Sequence, residues 1–154
     1  MSVMAMKDRG RAVRILLVED NYGDVLLTQQ AFLKANMRNE ITVARNGEQA
    51  MEMLHRVAPY DGKPLPDLIL LDLNLPKMDG KEVLNAIKSD AGLKHIPVII
   101  LTSSRAEQDV VKSYALNANS YLIKPVDLVA FYAVVQAIES FWLNLVILPD
   151  ETTV

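Results

Sequence analysis

The chain has 154 residues, of which 51% are hydrophobic and 23% are charged, and its net charge is −3. These values are typical of a globular protein with one hydrophobic core and exclude a disordered chain. The absence of cysteine excludes disulfide bonds, thiolate metal sites and a cysteine nucleophile. Because the sequence has no block of basic residues, we expect no binding of nucleic acid.

The N-terminal region is not expected to be a signal peptide or a membrane anchor. Basic residues occur from Lys7 to Arg14, but the apolar run that follows, Ile15 to Val18, is short and is closed by two acidic residues. We interpret this run as a buried strand. The lack of cysteine is compatible with a reducing compartment, and we expect a cytoplasmic protein without membrane contact.

Five short runs rich in Val, Ile and Leu predict five strands. They are Val13 to Val18, Ile41 to Ala44, Leu68 to Leu71, Val98 to Leu101 and the shorter Tyr121 to Ile123. The segments between them carry apolar residues at helical spacing, such as Ala50, Met51, Leu54 and Val57. Strands that are apolar at consecutive positions are buried on both faces, and helical crossovers make such a sheet parallel. The sequence therefore predicts a three-layer α/β fold in which strands and helices alternate.

Turn and capping residues mark the element boundaries. Asp79 and Gly80 open the third predicted helix, and Asp127 supplies a capping carboxylate for the last one. The segment from Ala58 to Pro66, with three prolines and a glycine, predicts a loop before strand 3. Without a repeat or a linker to a second domain, we predict a flexible N-terminus over residues 1–12, a single domain over 13–148 and a tail over 149–154.

Polar residues follow the predicted strands at their carboxyl ends. Glu19 and Asp20 follow strand 1, Asp72 follows strand 3, and Thr102 and Lys124 follow strands 4 and 5. The carboxyl ends of neighbouring parallel strands form the crevice in which ligands bind. Each residue alone could be a helix cap or a turn residue, but three carboxylates held close together call for a cation. Carboxylate oxygens suit Mg²⁺, and the sequence offers no His or Cys set of the kind that binds zinc.

A metal-bound carboxylate beside a hydroxyl and an ammonium group is suited to phosphoryl transfer. The charge on the phosphoryl oxygens must be stabilised from several sides at once. Asp72 would attack phosphorus, Lys124 would place a positive charge on the phosphoryl oxygens, and Thr102 would donate a hydrogen bond to one of them.

With these residues in place, the chain resembles the receiver domains of two-component response regulators over residues 13–143. The matching motifs are Leu16-Leu17-Val18-Glu19-Asp20, Leu70 through Gly80, Leu101-Thr102-Ser103-Ser104 and Lys124-Pro125. The resemblance implies a doubly wound (βα)5 sheet with the flavodoxin-like strand order 2-1-3-4-5, and a histidine kinase that phosphorylates Asp72. It also implies Mg²⁺ on Glu19, Asp20, Asp72 and the backbone carbonyl of Asn74, phosphoryl contacts from Thr102 and Lys124, a cis Lys124-Pro125 bond and an aromatic switch at Tyr121.

Two positions depart from the family pattern. Glu19 stands where the family has Asp, and because the charge is kept we expect metal binding to be kept. Ser103 stands where many receivers have Ala, which we expect to affect rates rather than function. The segment Glu19 to Phe32, the long loop before strand 3 and Phe141-Trp142-Leu143 resemble small response regulators paired with bacterial and cyanobacterial phytochromes. This resemblance implies a light-sensing histidine kinase as partner.

Other classes of protein fit the sequence less well. Aspartyl-nucleophile phosphatases usually carry a second Asp two residues after the nucleophile, where this chain has Asn74. A receiver-like protein that only binds a partner has no support, since every residue of the phosphorylation set is present. Neither G-x-x-x-x-G-K-[ST] nor G-x-G-x-x-G occurs, which argues against a nucleotide-binding enzyme. We interpret His55 and His95 as surface residues, and we expect no enzymatic activity beyond the chain's own phosphorylation and dephosphorylation.

The last predicted helix is unusually apolar. From Leu128 to Leu148 the clearly polar residues are Gln136, Glu139, Ser140 and Asn144. A helix that covers one flank of a sheet needs one apolar stripe, so apolar residues on all sides of the helix imply burial on a second side. The polar residues that interrupt the apolar run argue against a membrane span. We therefore predict a homodimer through the helix between strands 4 and 5, strand 5 and the last helix, linked to phosphorylation. Its predicted interface residues are Phe141, Trp142 and Leu145.

Overall fold

A computed structural model describes residues 12–102, 120–124 and 127–153, and it leaves aside the side chains of residues 120, 121 and 143–153. The strands are β1 (Val13–Val18), β2 (Asn39–Ala44), β3 (Leu68–Asp72), β4 (Val98–Thr102) and β5 (Ser120–Ile123). The helices of the described ranges are α1 (Tyr22–Leu33), α2 (Gly47–Leu54), α3 (Gly80–Ser89) and α4, the C-terminal helix (Leu128–Thr153). The helix predicted between strands 4 and 5 lies outside the described residues.

The strands form one parallel sheet in the order β2-β1-β3-β4-β5, as predicted. Val18 at the end of β1 pairs with Ala44 of β2 and with Leu71 of β3. Asp72 at the end of β3 pairs with Leu101 of β4. The carboxyl ends of the three central strands are therefore staggered by only one residue from strand to strand, and the residues at these ends meet at one edge of the sheet.

Successive side chains of the central strands supply two separate core layers. Leu16 and Val18 of β1 face a cluster that includes α2 and α3, whereas Ile15 and Leu17 face a second cluster that includes α1 and the C-terminal helix. All five residues of β3 are buried. Because side chains alternate between the faces of a sheet, a strand between two helix layers must be apolar at consecutive positions. The predicted three-layer fold is confirmed.

Strands β3, β4 and β5 each extend one residue beyond the predicted run, and two other boundaries differ by more. Strand β2 begins at Asn39 rather than Ile41, since it lies at the edge of the sheet and its first residues alternate between partly buried and exposed positions. The helical spacing predicted α2 through Val57, which is wrong. The helix ends at Leu54, because Arg56 adopts a left-handed backbone (φ 56°), and Val57 is 52% exposed.

Each described helix begins with an Asn or Asp side chain that accepts a hydrogen bond from a backbone amide. The pairs are Asn21 with Asp24, Asn46 with Gln49, Asp79 with Glu82 and Asp127 with Ala130. The predicted caps Asp79 and Asp127 are confirmed. Because Asn21 caps α1, Glu19 and Asp20 are not the capping residues of that helix.

The C-terminal helix packs on the sheet through Phe131, Val135 and Ile138, all of them buried. It continues to Thr153, five residues beyond the predicted domain end at 148. Phe141 and Trp142, predicted for a dimer interface, are half-buried against the chain's own core. Among the described residues, no helix is both long and apolar enough to span a membrane.

One buried polar contact fixes this helix against the turn between α1 and β2. The Glu139 side chain accepts a hydrogen bond of 2.9 Å from the amide of Met37, and both residues are buried. The Tyr132 hydroxyl donates to the carbonyl of Lys34 at 3.3 Å in the same turn. A buried amide without an acceptor is costly, so Glu139 is needed for stability.

We predict that Glu139→Ala lowers the free energy of unfolding by about 1–3 kcal/mol, because the Met37 amide loses its acceptor. Urea denaturation monitored by circular dichroism measures the change. Glu139→Gln keeps an acceptor oxygen and is expected to lose less stability, and Ser140→Ala at the neighbouring exposed position is the matched control. Wild-type stability of Glu139→Ala would contradict the assignment.

Candidate functional site

Three carboxylates meet at the carboxyl edge of the sheet. Oxygens of Glu19, Asp20 and Asp72 all lie within 4.8 Å of one another. Glu19 and Asp72 are buried, at 1% and 3% exposure, whereas Asp20 is exposed. The Glu19 amide donates to the carbonyl of Ala44 at 2.9 Å, so the pairing of β1 with β2 extends into the site. The parallel sheet thus places the cluster, as the positions of these residues after the strands indicated.

The loop after β3 orients Asp72. The amide of Asn74 donates to Asp72 Oδ1 at 3.2 Å, and the amide of Gly80 donates to the carbonyl of Leu73 at 3.0 Å. A Cβ atom on Gly80 would lie 2.6 Å from both the Asp72 carbonyl oxygen and Leu73 Cα, so only glycine allows this close approach. Asn74 contacts Asp72 through its backbone N–H, and a metal-binding role for its backbone carbonyl remains a prediction.

Lys124 joins the cluster from β5. Its Nζ lies 2.8 Å from Glu19 Oε1, 3.0 Å from Asp24 Oδ2 and 3.2 Å from Asp72 Oδ2, and its side chain is 11% exposed. The Lys124 amide donates to the carbonyl of Thr102, so the pairing of β5 with β4 carries the ammonium into the crevice. One ammonium group therefore bridges carboxylates at the ends of two different strands, β1 and β3.

Asp24 is a member of the site that the sequence analysis missed. It lies in the first turn of α1. Its backbone amide donates a hydrogen bond to the capping side chain of Asn21, and its carboxylate accepts one from Lys124. A signal was present in the sequence. An N-cap at Asn21 puts Asp24 in the first turn of a helix that begins at the same edge of the sheet as Asp20. Its contact with a lysine 100 residues away required the tertiary structure.

The remaining predicted residues are described in part. Thr102 is fully buried at the end of β4, one residue beyond the partner of Asp72. Tyr121, in β5, pairs with Ile100 of β4. The Tyr121 side chain lies outside the described residues, as do Ser103 and Pro125. The aromatic switch and the cis peptide bond at residue 125 therefore remain predictions.

The two histidines lie on the surface, as predicted. His55 and His95 are both exposed, and His55 Nε2 lies 3.1 Å from Asp90 Oδ2. They take no part in the contacts of the Lys124 ammonium.

The buried charges shift the protonation equilibria. Burial raises the pKa of Glu19 to about 7, the hydrogen bond and charge of Asp72 act in the same direction, and Lys124 opposes them. Burial lowers the pKa of Lys124, but the hydrogen bond to Glu19 and the charges of Asp72 and Glu19 outweigh burial and raise it. The lysine is thus firmly charged, while Glu19 is divided between its two protonation states near neutral pH.

The donor set fits a divalent cation that prefers oxygen ligands. Three carboxylates offer oxygens close enough to share one ion, and a fourth, Asp24, is turned to the ammonium. The site holds four carboxyl groups against one ammonium group, an excess of acidic groups even with Glu19 partly protonated. A dication bound by Glu19, Asp20 and Asp72 would reduce the excess, and it would compete with Lys124 for two of those side chains.

In the metal-free protein, we predict that the stability due to Glu19 falls as pH rises from about 4.5 towards 7. The folded-state pKa of about 7 lies above the unfolded value of 4.5, so in this interval the folded protein binds a proton that the unfolded chain has released. Thermal unfolding of wild type and Glu19→Gln, in chelator and across this range, measures the effect. The difference in melting temperature between the two proteins should change with pH, and a constant difference would contradict the assignment.

The comparisons with known proteins agree with this geometry. Residues 15–136 match the family model of the response regulator receiver domain. The response regulator Rcp1 of Synechocystis sp. is 48% identical over 135 residues, which cover 88% of this chain and 92% of Rcp1.

Two solved structures share both sequence and fold with the chain. The phosphorylated cyanobacterial phytochrome response regulator RcpA superposes with a TM-score of 0.78 at 45% identity, over 86% of this chain and 94% of RcpA. The Mn²⁺-bound form of Rcp1 superposes with a TM-score of 0.76 at 47% identity, over 85% of this chain and 94% of that one. The matched receiver model covers most of the chain and includes each of the strand ends that build the site. The chain therefore belongs to the receiver-domain family of two-component response regulators and is not a metabolic enzyme.

Proposed function

We propose that the chain accepts a phosphoryl group on Asp72 from a histidine kinase, in a reaction that depends on Mg²⁺, and acts as a response regulator. The observation that carries the proposal is the set of polar and charged groups that surround Asp72. Its carboxylate is oriented by the Asn74 amide, lies in a cluster with two other carboxylates and contacts the ammonium of Lys124.

The chemistry follows from these contacts. An oxygen of Asp72 forms a bond to phosphorus as the P–N bond of the donor phosphohistidine breaks, and the imidazole leaves with the electrons of that bond and takes up a proton. Lys124 already lies 3.2 Å from Asp72 Oδ2, so its positive charge is close to the position that the phosphoryl oxygens would occupy. Thr102, at the next strand end, is the proposed hydrogen-bond donor to another of these oxygens.

Glu19, Asp20 and Asp72, with the Asn74 carbonyl, are the residues that we propose to hold Mg²⁺. Bound Mg²⁺ would neutralise charge on the transferred group. The fit of the carboxylates supports this assignment, and the Mn²⁺-bound structure of Rcp1 shows that a relative binds a divalent cation.

Exposed apolar side chains near the site support a protein as phosphoryl donor. Tyr22 begins α1 two residues after Asp20 and is 63% exposed, and Leu26, one turn later, is 41% exposed. Val129, at the start of the C-terminal helix, is 83% exposed. A protein that carries its phosphohistidine to Asp72 must cover the surface around this edge, and apolar residues there favour such an interface.

A phytochrome-type kinase in the cytoplasm is the partner that we propose. The support is the similarity to RcpA, whose structure is that of a cyanobacterial phytochrome response regulator, together with the similarity to Rcp1. Specificity among kinases resides in the contact surface, so transfer rates from different kinases report on it directly.

We further propose that phosphorylation changes the surface made by the helix between β4 and β5, by β5 and by the C-terminal helix, and that this surface forms a homodimer. A new anion on Asp72 would draw the Thr102 hydroxyl, and the Tyr121 ring would follow. Support for a dimer comes from the apolar composition of the C-terminal helix. Phe141 and Trp142 are only half-buried by the chain's own core, so each keeps surface for a second copy.

Asp72→Asn is predicted to abolish labelling by phosphorylated histidine kinases, because the acceptor oxygen is replaced by an amide. A panel of autophosphorylated kinases that includes a phytochrome kinase should label the wild type, and the phytochrome kinase should label it fastest. Excess chelator should stop the transfer to wild type, since three carboxylates would then face an anionic donor.

Asp79→Asn is a matched control, since it makes the same change at an exposed helix cap in the loop that follows Asp72. This variant should still be labelled. Full labelling of Asp72→Asn would refute the acceptor assignment, and undiminished transfer in chelator would refute the role of the metal.

Sedimentation equilibrium with and without beryllofluoride is predicted to show a homodimer that is tighter with the phosphoryl mimic, and Trp142→Ala should weaken it. Because Trp142 also packs against its own core, circular dichroism must show that the variant is folded. Leu145→Asp tests the same interface at a second position. A wild-type monomer in both states would end the dimer proposal, and a dimer of unchanged affinity would remove its link to phosphorylation.

A further inference from the structure

The Lys124 ammonium contacts three carboxylates, and Asp24 is the one that does not belong to the candidate metal ligands. Among the described residues, the ammonium forms ion pairs with Glu19, Asp24 and Asp72. Glu19 and Asp72 also belong to the cluster of oxygens that could share one cation, and Asp24 does not. When a cation occupies the cluster, Asp24 is therefore the carboxylate that stays available to the lysine.

The ammonium and a divalent cation compete for the same side chains. Lys124 Nζ is 2.8 Å from Glu19 and 3.2 Å from Asp72, so a cation bound by both carboxylates would lie close to a like charge. With only 11% of its side chain exposed, Lys124 cannot simply exchange these contacts for water. It needs a carboxylate that remains in place.

Asp24 is held where it can serve this purpose. Its amide donates to Asn21 Oδ1 at 2.9 Å, and its carbonyl accepts a hydrogen bond of 2.7 Å from the hydroxyl of buried Thr28. The Asn21 amide in turn donates to Glu19 Oε2 at 3.2 Å. The Asp24 side chain is 25% exposed and lies in the first helical turn, where the helix dipole favours a carboxylate.

We propose that Asp24 is a positioning residue that holds the Lys124 ammonium beside Asp72 when a divalent cation takes over Glu19 and Asp72. The inference rests on the proposed function for the identity of the cation. It assigns to Asp24 two linked effects. Asp24 lowers the free-energy cost of moving the lysine away from Glu19, and it keeps the lysine within reach of a phosphoryl group on Asp72.

The first test is Mg²⁺ affinity measured by isothermal titration calorimetry without a phosphoryl donor. Asp24→Asn removes the charge while the hydrogen bonds of the Asp24 backbone remain, and it should weaken Mg²⁺ binding about threefold or more. Glu48→Gln is the matched control, because Glu48 is an exposed carboxylate in the first turn of α2, which also follows a strand at this edge. Its affinity should stay within about twofold of wild type.

A double-mutant cycle separates positioning from simple attraction between Asp24 and the cation. In a Lys124→Met background there is no ammonium to hold, so Asp24→Asn should weaken Mg²⁺ binding by less than about twofold. An equal loss with and without Lys124 would mean that Asp24 acts on the cation through its charge alone, which would overturn the proposal.

A crystal structure of the Mg²⁺-loaded wild type gives a second readout. We expect Lys124 Nζ within hydrogen-bond distance of the Asp24 carboxylate and separated from Glu19. A lysine that leaves Asp24 and stays on Glu19 would overturn the inference. If wild type binds Mg²⁺ and Asp24→Asn binds it equally well, the Asp24 inference fails while the proposed function stands. If wild type binds no Mg²⁺, both fail.

Discussion

The ammonium of Lys124 is the interaction on which the carboxyl edge of this sheet depends. Four carboxylates lie in or next to the site, and Lys124 contacts three of them. Glu19 and Asp72 are buried, so their charges cannot be screened by water. Leaving a buried charge without its partner typically costs about 3–5 kcal/mol. The lysine therefore has a structural role at this edge of the sheet, and a cation that bound the cluster would have to share Glu19 and Asp72 with it.

The sheet places this ammonium through backbone pairing. Lys124 directly follows β5, and its amide bonds to the carbonyl of Thr102 at the end of β4. Strand β4 in turn pairs with β3 so that Leu101 lies opposite Asp72. Since the register of a buried parallel sheet is fixed by its apolar side chains, the relative backbone positions of Lys124 and Asp72 are set by the core rather than by the loops. A lysine on a loop without strand pairing would not have its backbone held at a fixed position relative to Asp72.

The sequence was sufficient for the architecture and for most of the site. Consecutive apolar residues in β1, β3 and β4 predicted a sheet covered on both faces, and the residues that follow those strands predicted the carboxylate cluster. Periodicity failed at the end of α2, where Val57 fits the helical spacing but Arg56 has a left-handed backbone. Apolar spacing carries no information about such a residue.

Asp24 and Glu139 show what composition and spacing leave out. Both are acidic residues in helices, where an exposed position is the usual expectation. Asp24 instead contacts a lysine 100 residues later, and Glu139 accepts a hydrogen bond from an amide 102 residues earlier. Contacts of this kind depend on how two distant segments are brought side by side, and here α1 and the turn that follows it pack against the C-terminal helix.

The same packing places the site close to the C-terminal helix. Lys124 lies three residues before Asp127, whose side chain caps that helix at the Ala130 amide. The helix is also fixed at its middle by Glu139 and over its first half by Phe131, Val135 and Ile138. The helix that follows the lysine is therefore held to the rest of the fold at several points. Packed elements of this kind tend to adopt discrete arrangements, since close-packed interiors do not deform continuously. In this fold, the residue that carries the ammonium group stands four residues before the first residue of the C-terminal helix.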